Sequence, residues 1–400
     1  MINRKAFLTR VIEEGFRNKV SWYPLTLKHS KCRELLDYKI YGNSIQNGTP
    51  SPDNPVEIQS VGDLVTDEND ANYGKYKIPV EVTGKNLISM FWFDRHCGSY
   101  WYSTNIQNSR VAINRLIEVK PNTYYTISVS NFNLRYAIQQ YNKNIELTND
   151  SYWQTSSNYT FLTTDNTYFI WIPISSPNYS YDITFEQVQQ ANIQIEEGAT
   201  ATEYEPYQKP KTTNIYLDQP LRKIGDYADY IDFKNNKVIK KIVSANLTAT
   251  SVSGVGSNDD TVSRFYQSYT KRLVLNILDN IQVMSNKLQA LSVYNYNSAS
   301  NKSINSISCN QNNTAIHFKM KNDLLGITED MTNDEKKNKC NEYLSNNPVT
   351  INYILKNQTE QNITLPEILM HKGTNIITVD TTIEPSRIEA EYSSFEKEVP

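Results

Sequence analysis

Between residues 85 and 207 the chain runs as a succession of short β-prone segments, a pattern that leaves little room for anything but stacked sheets. RVAINRLIEV, TYYTISVS, LRYAIQQY, YTFLTT, TYFIWIPI, YDITFEQVQ and ANIQIEE follow one another, separated by turn clusters such as Lys120-Pro121-Asn122 and Ser175-Ser176-Pro177-Asn178. Helical periodicity is nearly absent here. About seven or eight short strands at this spacing predict a sandwich or jelly roll.

The flanks are β-rich too. VSWYPLTL, DYKIYG and KYKIPVEV read as strands ahead of the module, around a turn-rich stretch holding Asn47-Gly48, Pro52 and Pro55. TTNIYLDQPLRKI and YADYIDFKNNKVIKKI follow it, the second folding at Asn235-Asn236 as a hairpin. The basic run Lys234–Lys241 reads as a solvated strand edge, where lysines discourage strand-to-strand association. Residues 241–320 are ambiguous in type. VTINYILKN, NIITVDTTI and SRIEAEYSS close the chain as strands.

Two helices are expected. Leu8, Val11, Ile12 and Phe16 make one apolar face over residues 1–19, an amphipathic stripe that must dock on its own chain or on a neighbour. Over 332–346, Thr332 and Glu335 have capping-box spacing and Pro348 follows as a terminator. The fold class expected is therefore mainly β: several β-sandwich or jelly-roll modules, a short N-terminal helix and one helix in the C-terminal domain.

Length and charge narrow the function classes. At 400 residues the chain is expected to make two to four domains. Its 40 basic and 43 acidic residues leave a charge of −3, which offers no general attraction to nucleic acid or to an anionic membrane. No stretch approaches 18 apolar residues, and the charged N-terminus lacks the apolar run of a signal peptide. Cys32, Cys97, Cys309 and Cys340 are scattered and read as incidental thiols. The 28 tyrosines against 12 phenylalanines suit half-wet sheet faces, although AT-rich coding alone would also produce them.

Several longer strings carry a resemblance. IYGNSIQNGTPSPDNPVEIQSVGD, KYKIPVEVTGKNL and PLRKIGDYADYIDFKNNKVIKKI, together with YLSNNPVTINYILKNQTEQNITLPEI and GTNIITVDTTIEPSRIEAEY, resemble phage tail and prophage minor structural proteins of Firmicutes phages. ANIQIEEGATATEYEPY is similar to the last strand and exit of jelly rolls related to carbohydrate-binding modules. The resemblance implies a split β-domain, with KYKIPVEV and TTNIYLDQPLRKI belonging together and the 85–207 module inserted between them at a surface turn. Together with the patterns above, the boundaries expected are 1–19 (anchoring helix), 20–84 and 208–240 (split β-domain), 85–207 (jelly roll) and 241–400 (C-terminal β-rich domain). The resemblance implies a virion protein of the tail tip or baseplate, assembled in the host cytoplasm. Its expected partners are other tail proteins, further copies of itself and a host-surface glycan, with neither nucleic acid nor membrane insertion. A structural adaptor without receptor contact and a tail-associated glycan depolymerase are the alternatives.

The residues proposed to meet a glycan are Trp92, Tyr100, Trp101, Tyr102, Tyr152 and Trp153. They lie in FWFDRHCGSYWYSTN and NDSYWQTSSN, where flat rings for stacking on a pyranose stand beside amides and charges for its hydroxyls. The plainer alternative is that these rings cap the sandwich; Trp171, inside YFIWIPI, is expected in the core. Glu196-Glu197 and Glu203/Glu205 invite a glycosidase reading. Adjacent strand residues point to opposite faces, however, so the first pair cannot flank one bond, and both pairs read as solvated or salt-bridged. Asp94-Arg95-His96-Cys97 lacks the second cluster that a zinc site requires. No cofactor is expected. Related jelly rolls can hold a structural calcium, for which the sequence specifies no ligands.

Overall fold

The computed structural model describes residues 25–27, 36–101, 103–130, 134–248, 252–256, 262–268, 283–292, 298, 304–309, 315–366, 368, 371, 374–379 and 388–392. The helix expected over 1–19 lies outside the described residues. The protein is mainly β, as its alternating patterns require.

The strand Tyr76–Gly84 is the frame on which the insertion hangs. It pairs along its length with Lys211–Leu217, Val82 facing Lys211 and Tyr76 facing Leu217. Ile78, Val80 and Val82 turn inward, as period-two alternation dictates, to meet Ile215 and Leu217 in one core. Pro79 sits mid-strand and cannot donate. On the other edge Asp63–Leu64 faces only residues 76 and 77, and Asn375–Val379 faces only 80 to 84, so Pro79 falls in the gap between two partners. Gly42 has a comparable reason: a Cβ there would stand 2.6 Å from the backbone of Leu221 and Arg222.

The module's core is its own. Ile88, Phe93, Val111, Ile113, Tyr125, Ile127, Tyr136, Trp171 and Ile195 belong to a cluster drawn wholly from residues between 87 and 195. A three-stranded sheet, Asn158–Leu162, Tyr124–Val129 and Ile193–Glu197, supplies one side. Two four-stranded sheets supply the other, joined through the nearly continuous strands Phe169–Trp171 and Pro173–Ser175. RVAINRLIEV, expected as one run, is two strands, Gln107–Ile113 and Ile117–Glu118. YDITFEQVQ is not a strand: Phe185–Gln189 is a helix, started by a capping box between Thr184 and Gln187.

The last third is built around two long strands, Lys237–Leu247 and Val349–Asn362, inside a six-stranded sheet. At one end Val238 enters the core of the split domain; at the other Leu247, Val349 and Ile351 pack with Phe265, Phe318 and Leu344 in a second core. Between the two the register shifts, Lys240 facing Thr359 and Ile242 facing Ile354. The expected solvated edge at Lys234–Lys241 is corrected here. Lys237–Leu247 is an interior strand between Tyr230–Asp232 and Val349–Asn362, and the Lys240 side chain is only 14% exposed. The helix Asn333–Asn346 starts at Thr332 with the expected capping box to Glu335 and buries Cys340 and Leu344. The closing strands do not stay with the 241–400 region: Asn375–Val379 pairs with 76–84, and Ile388–Tyr392 with Leu36–Tyr41. Long-range pairing of this kind leaves no local trace in sequence.

Candidate functional site

The neck of the module is fixed by its first two residues. Asn86 accepts from the amides of Ile88 and Ile195 and donates to the carbonyls of Ile193 and Glu205. Lys85 donates to Thr202 Oγ1 at 2.6 Å and to the Glu203 carbonyl, and stands 3.2 Å from the Glu205 carboxylate. Glu205 also accepts from the amide and hydroxyl of Thr374 at 2.8 and 2.7 Å. Burial pushes its carboxyl up, but Thr374 and Lys85 outweigh burial and hold it below the usual range. Glu196 is 5% exposed and accepts from Gln194 and twice from Thr202, while Glu197 pairs with Lys120 at 2.8 Å. These acids are bound up in structural bonds. Glu197 and Glu205 are salt-bridged as expected; Glu196 is instead buried and hydrogen-bonded.

The expected aromatic residues divide among several places. Trp92 lies at the neck, edge-on to Tyr207 at 4.8 Å with the Arg115 guanidinium 4.4 Å above its ring. Trp101 leans edge-on against buried Trp171 at 5.9 Å, with Arg95 stacked 4.5 Å from it. Trp171 is in the core as expected and donates to the Ile113 carbonyl. Trp153 stands edge-on to Tyr179 at 6.1 Å. Tyr100 and Tyr152 are exposed, Tyr152 by 83%. Tyr102 lies outside the described residues.

Arginines, which the aromatic clustering in sequence does not single out, connect most of these rings. Arg110 and Arg135 both pair with Ser175, so all three side chains share one row on the face opposite Tyr136, Ile174 and Val111. The Tyr179 ring lies 4.4 Å from the Arg110 guanidinium and 4.0 Å from that of Arg135; Trp153 lies 5.7 and 5.1 Å from the same two groups. On the other flank the loop after Cys97 folds back on itself at Gly98, where a Cβ would stand 2.4 Å from that of Ser103. Ser99 in that loop accepts from Arg110 Nη1 at 2.8 Å and, through its carbonyl, from Gln139. The signal available in sequence was an arginine set directly before apolar residues in a strand, as in Arg110-Val111-Ala112-Ile113 and Arg135-Tyr136. Burial raises the Cys97 thiol to about 12 despite Arg95 and Arg110, so it is inert at neutral pH. Among the described residues no group of three His, Cys, Asp or Glu side chains is placed to hold a metal ion, and no helix is long and apolar enough to cross a membrane.

The fold and this face define a mainly-β protein in which a self-contained sandwich, carrying an arginine–aromatic surface, is inserted into a larger β scaffold. No family model, no curated protein and no solved structure matches the chain.

Proposed function

We propose that this chain is a structural protein of a phage tail tip or baseplate and that the inserted sandwich is the head that contacts the host surface. The observation that carries this reading is the insertion itself. The head leaves and rejoins the scaffold at neighbouring ends of paired strands, has its own core against which Trp92 and Trp101 pack, and carries Trp153 and Tyr179 outside that core. That is the construction of a binding unit set on a frame. The strings that resemble tail proteins support it, since KYKIPVEV, KNNKVIKKI and NIITVD fall on the strands that build the frame. Symmetric association of several copies would multiply weak single contacts into firm adsorption.

The test is binding of the purified chain, displayed in several copies, to cell walls from a panel of Firmicutes. Adsorption that Trp153→Ala weakens, with the fold intact by circular dichroism, is expected. Failure to adsorb to any wall, with firm association to other tail proteins, would make the chain an adaptor instead.

A further inference from the structure

We infer that the Arg110–Arg135 face takes acidic groups, so that the head recognises a glycan carrying phosphate or carboxylate rather than a neutral sugar; this rests on the reading of the module as a host-contacting head. The donor inventory carries it. Arg110 is 7% exposed, and its Nε finds no acceptor among the described residues. Arg135 has both Nε and Nη2 buried and without an acceptor. Those two nitrogens form one edge of the guanidinium, the side-on fork whose parallel N–H groups match the two oxygens of a carboxylate or phosphate. Native proteins leave few buried donors unmatched, and charged ones carry the largest penalty. Three such nitrogens on two neighbouring arginines is a concentration that calls for a partner.

The surroundings sharpen the class of ligand. No carboxylate forms an ion pair with either arginine among the described residues, and Asp150 bonds instead to Gln139 and to the Tyr152 amide. Trp153 and Tyr179 give ring area to the guanidiniums, which removes it from sugar stacking and keeps water from the charges. Tyr152 and Tyr179, the exposed aromatics beside this face, hold left-handed backbone at φ of 55° and 57°. Bulky residues rarely sit there, and strain of this kind gathers at ligand clamps. An acidic group would reach the fork as the exposed Tyr179 side chain turns aside.

The experiment measures binding of the full chain to a glycerol-phosphate polymer, a polyuronate and a neutral glucan, with cell-wall adsorption followed in parallel. Binding to one or both anionic polymers but not to the glucan is expected, and which polymer binds separates phosphate from carboxylate. Arg135→Gln should weaken that binding about tenfold or more, and Arg135→Lys should recover only part of it because the fork is gone. Competition on the unmodified chain needs no variant to fold: inorganic phosphate or acetate should displace the polymer where chloride at equal ionic strength does not. Equal binding to the glucan, indifference to Arg135→Gln, or equal displacement by chloride would overturn the inference. Cell-wall adsorption that persists in any of those cases leaves the head reading standing, whereas absence of all adsorption removes both.

Discussion

Two regions of the molecule bury charge, and they treat it in opposite ways. In the scaffold Asp229 is fully buried and completely matched. Its carboxylate accepts from the amides of Lys241 and Ile242 at 2.7 and 2.9 Å and from that of Arg222 at 3.1 Å, with the Lys240 ammonium 3.5 Å away. It thereby satisfies the backbone where the register of the long strand shifts. On the head, Arg110 is buried and Arg135 half-buried against rings, and buried guanidinium nitrogens of both lack an acceptor among the described residues. The first arrangement holds a fold together; the second, on the inference drawn above, keeps bonding capacity for an acidic ligand.

Substitutions should separate the two regions cleanly. The largest effect is expected from Asp229→Ala, which strands the Lys240 charge and the amides of the register shift; removing one partner of a buried pair costs about 3–5 kcal/mol. Urea denaturation should register that loss, and a variant as stable as the parent would break the comparison on the scaffold side. At the neck, Glu205 titrates below its ordinary value of 4.5 in the fold, so its contribution is complete above that value and is lost as pH falls through the depressed one. Glu205→Gln should therefore lower stability at pH 7 and flatten the acid limb of a melting-temperature profile. Arg135→Met should leave the melting temperature unchanged or raise it, because two buried donors without an acceptor are exchanged for an apolar chain that still packs on Tyr179 and Trp153. A drop of several degrees would mean that Arg135 serves the fold. The smallest effect belongs to Lys237→Ala. Its pair with Glu360 at 2.6 Å is solvent-screened, and calorimetry should find no change.

Much of this frame could be read from sequence because it is local. KYKIPVEV alternates apolar and polar residues, and that period alone puts Ile78, Val80 and Val82 in a core. Thr332 and Glu335 announce a helix start at a spacing that few other arrangements use. The same signal at Thr184 and Gln187 was hidden in a β-rich neighbourhood, where a helix as short as Phe185–Gln189 leaves too few turns to show a period. Pairings between distant residues were illegible. Nothing near Asn375–Val379 indicates that it returns to lie beside residues 80–84. The arginine face shares that origin, since Arg110 and Arg135 meet only because both strands pair with Pro173–Ser175. The sequence points to the tryptophans, which are conspicuous, and passes over the arginines, whose meaning depends on register.

Whether a binding head stands on an independent frame is decided by replacing residues 85–207 with a short turn between the paired strands Tyr76–Gly84 and Lys211–Leu217 and measuring adsorption to host cell walls. A folded, cooperatively melting scaffold that no longer adsorbs is expected. Adsorption equal to that of the intact chain, with the scaffold folded, would contradict a separate binding head.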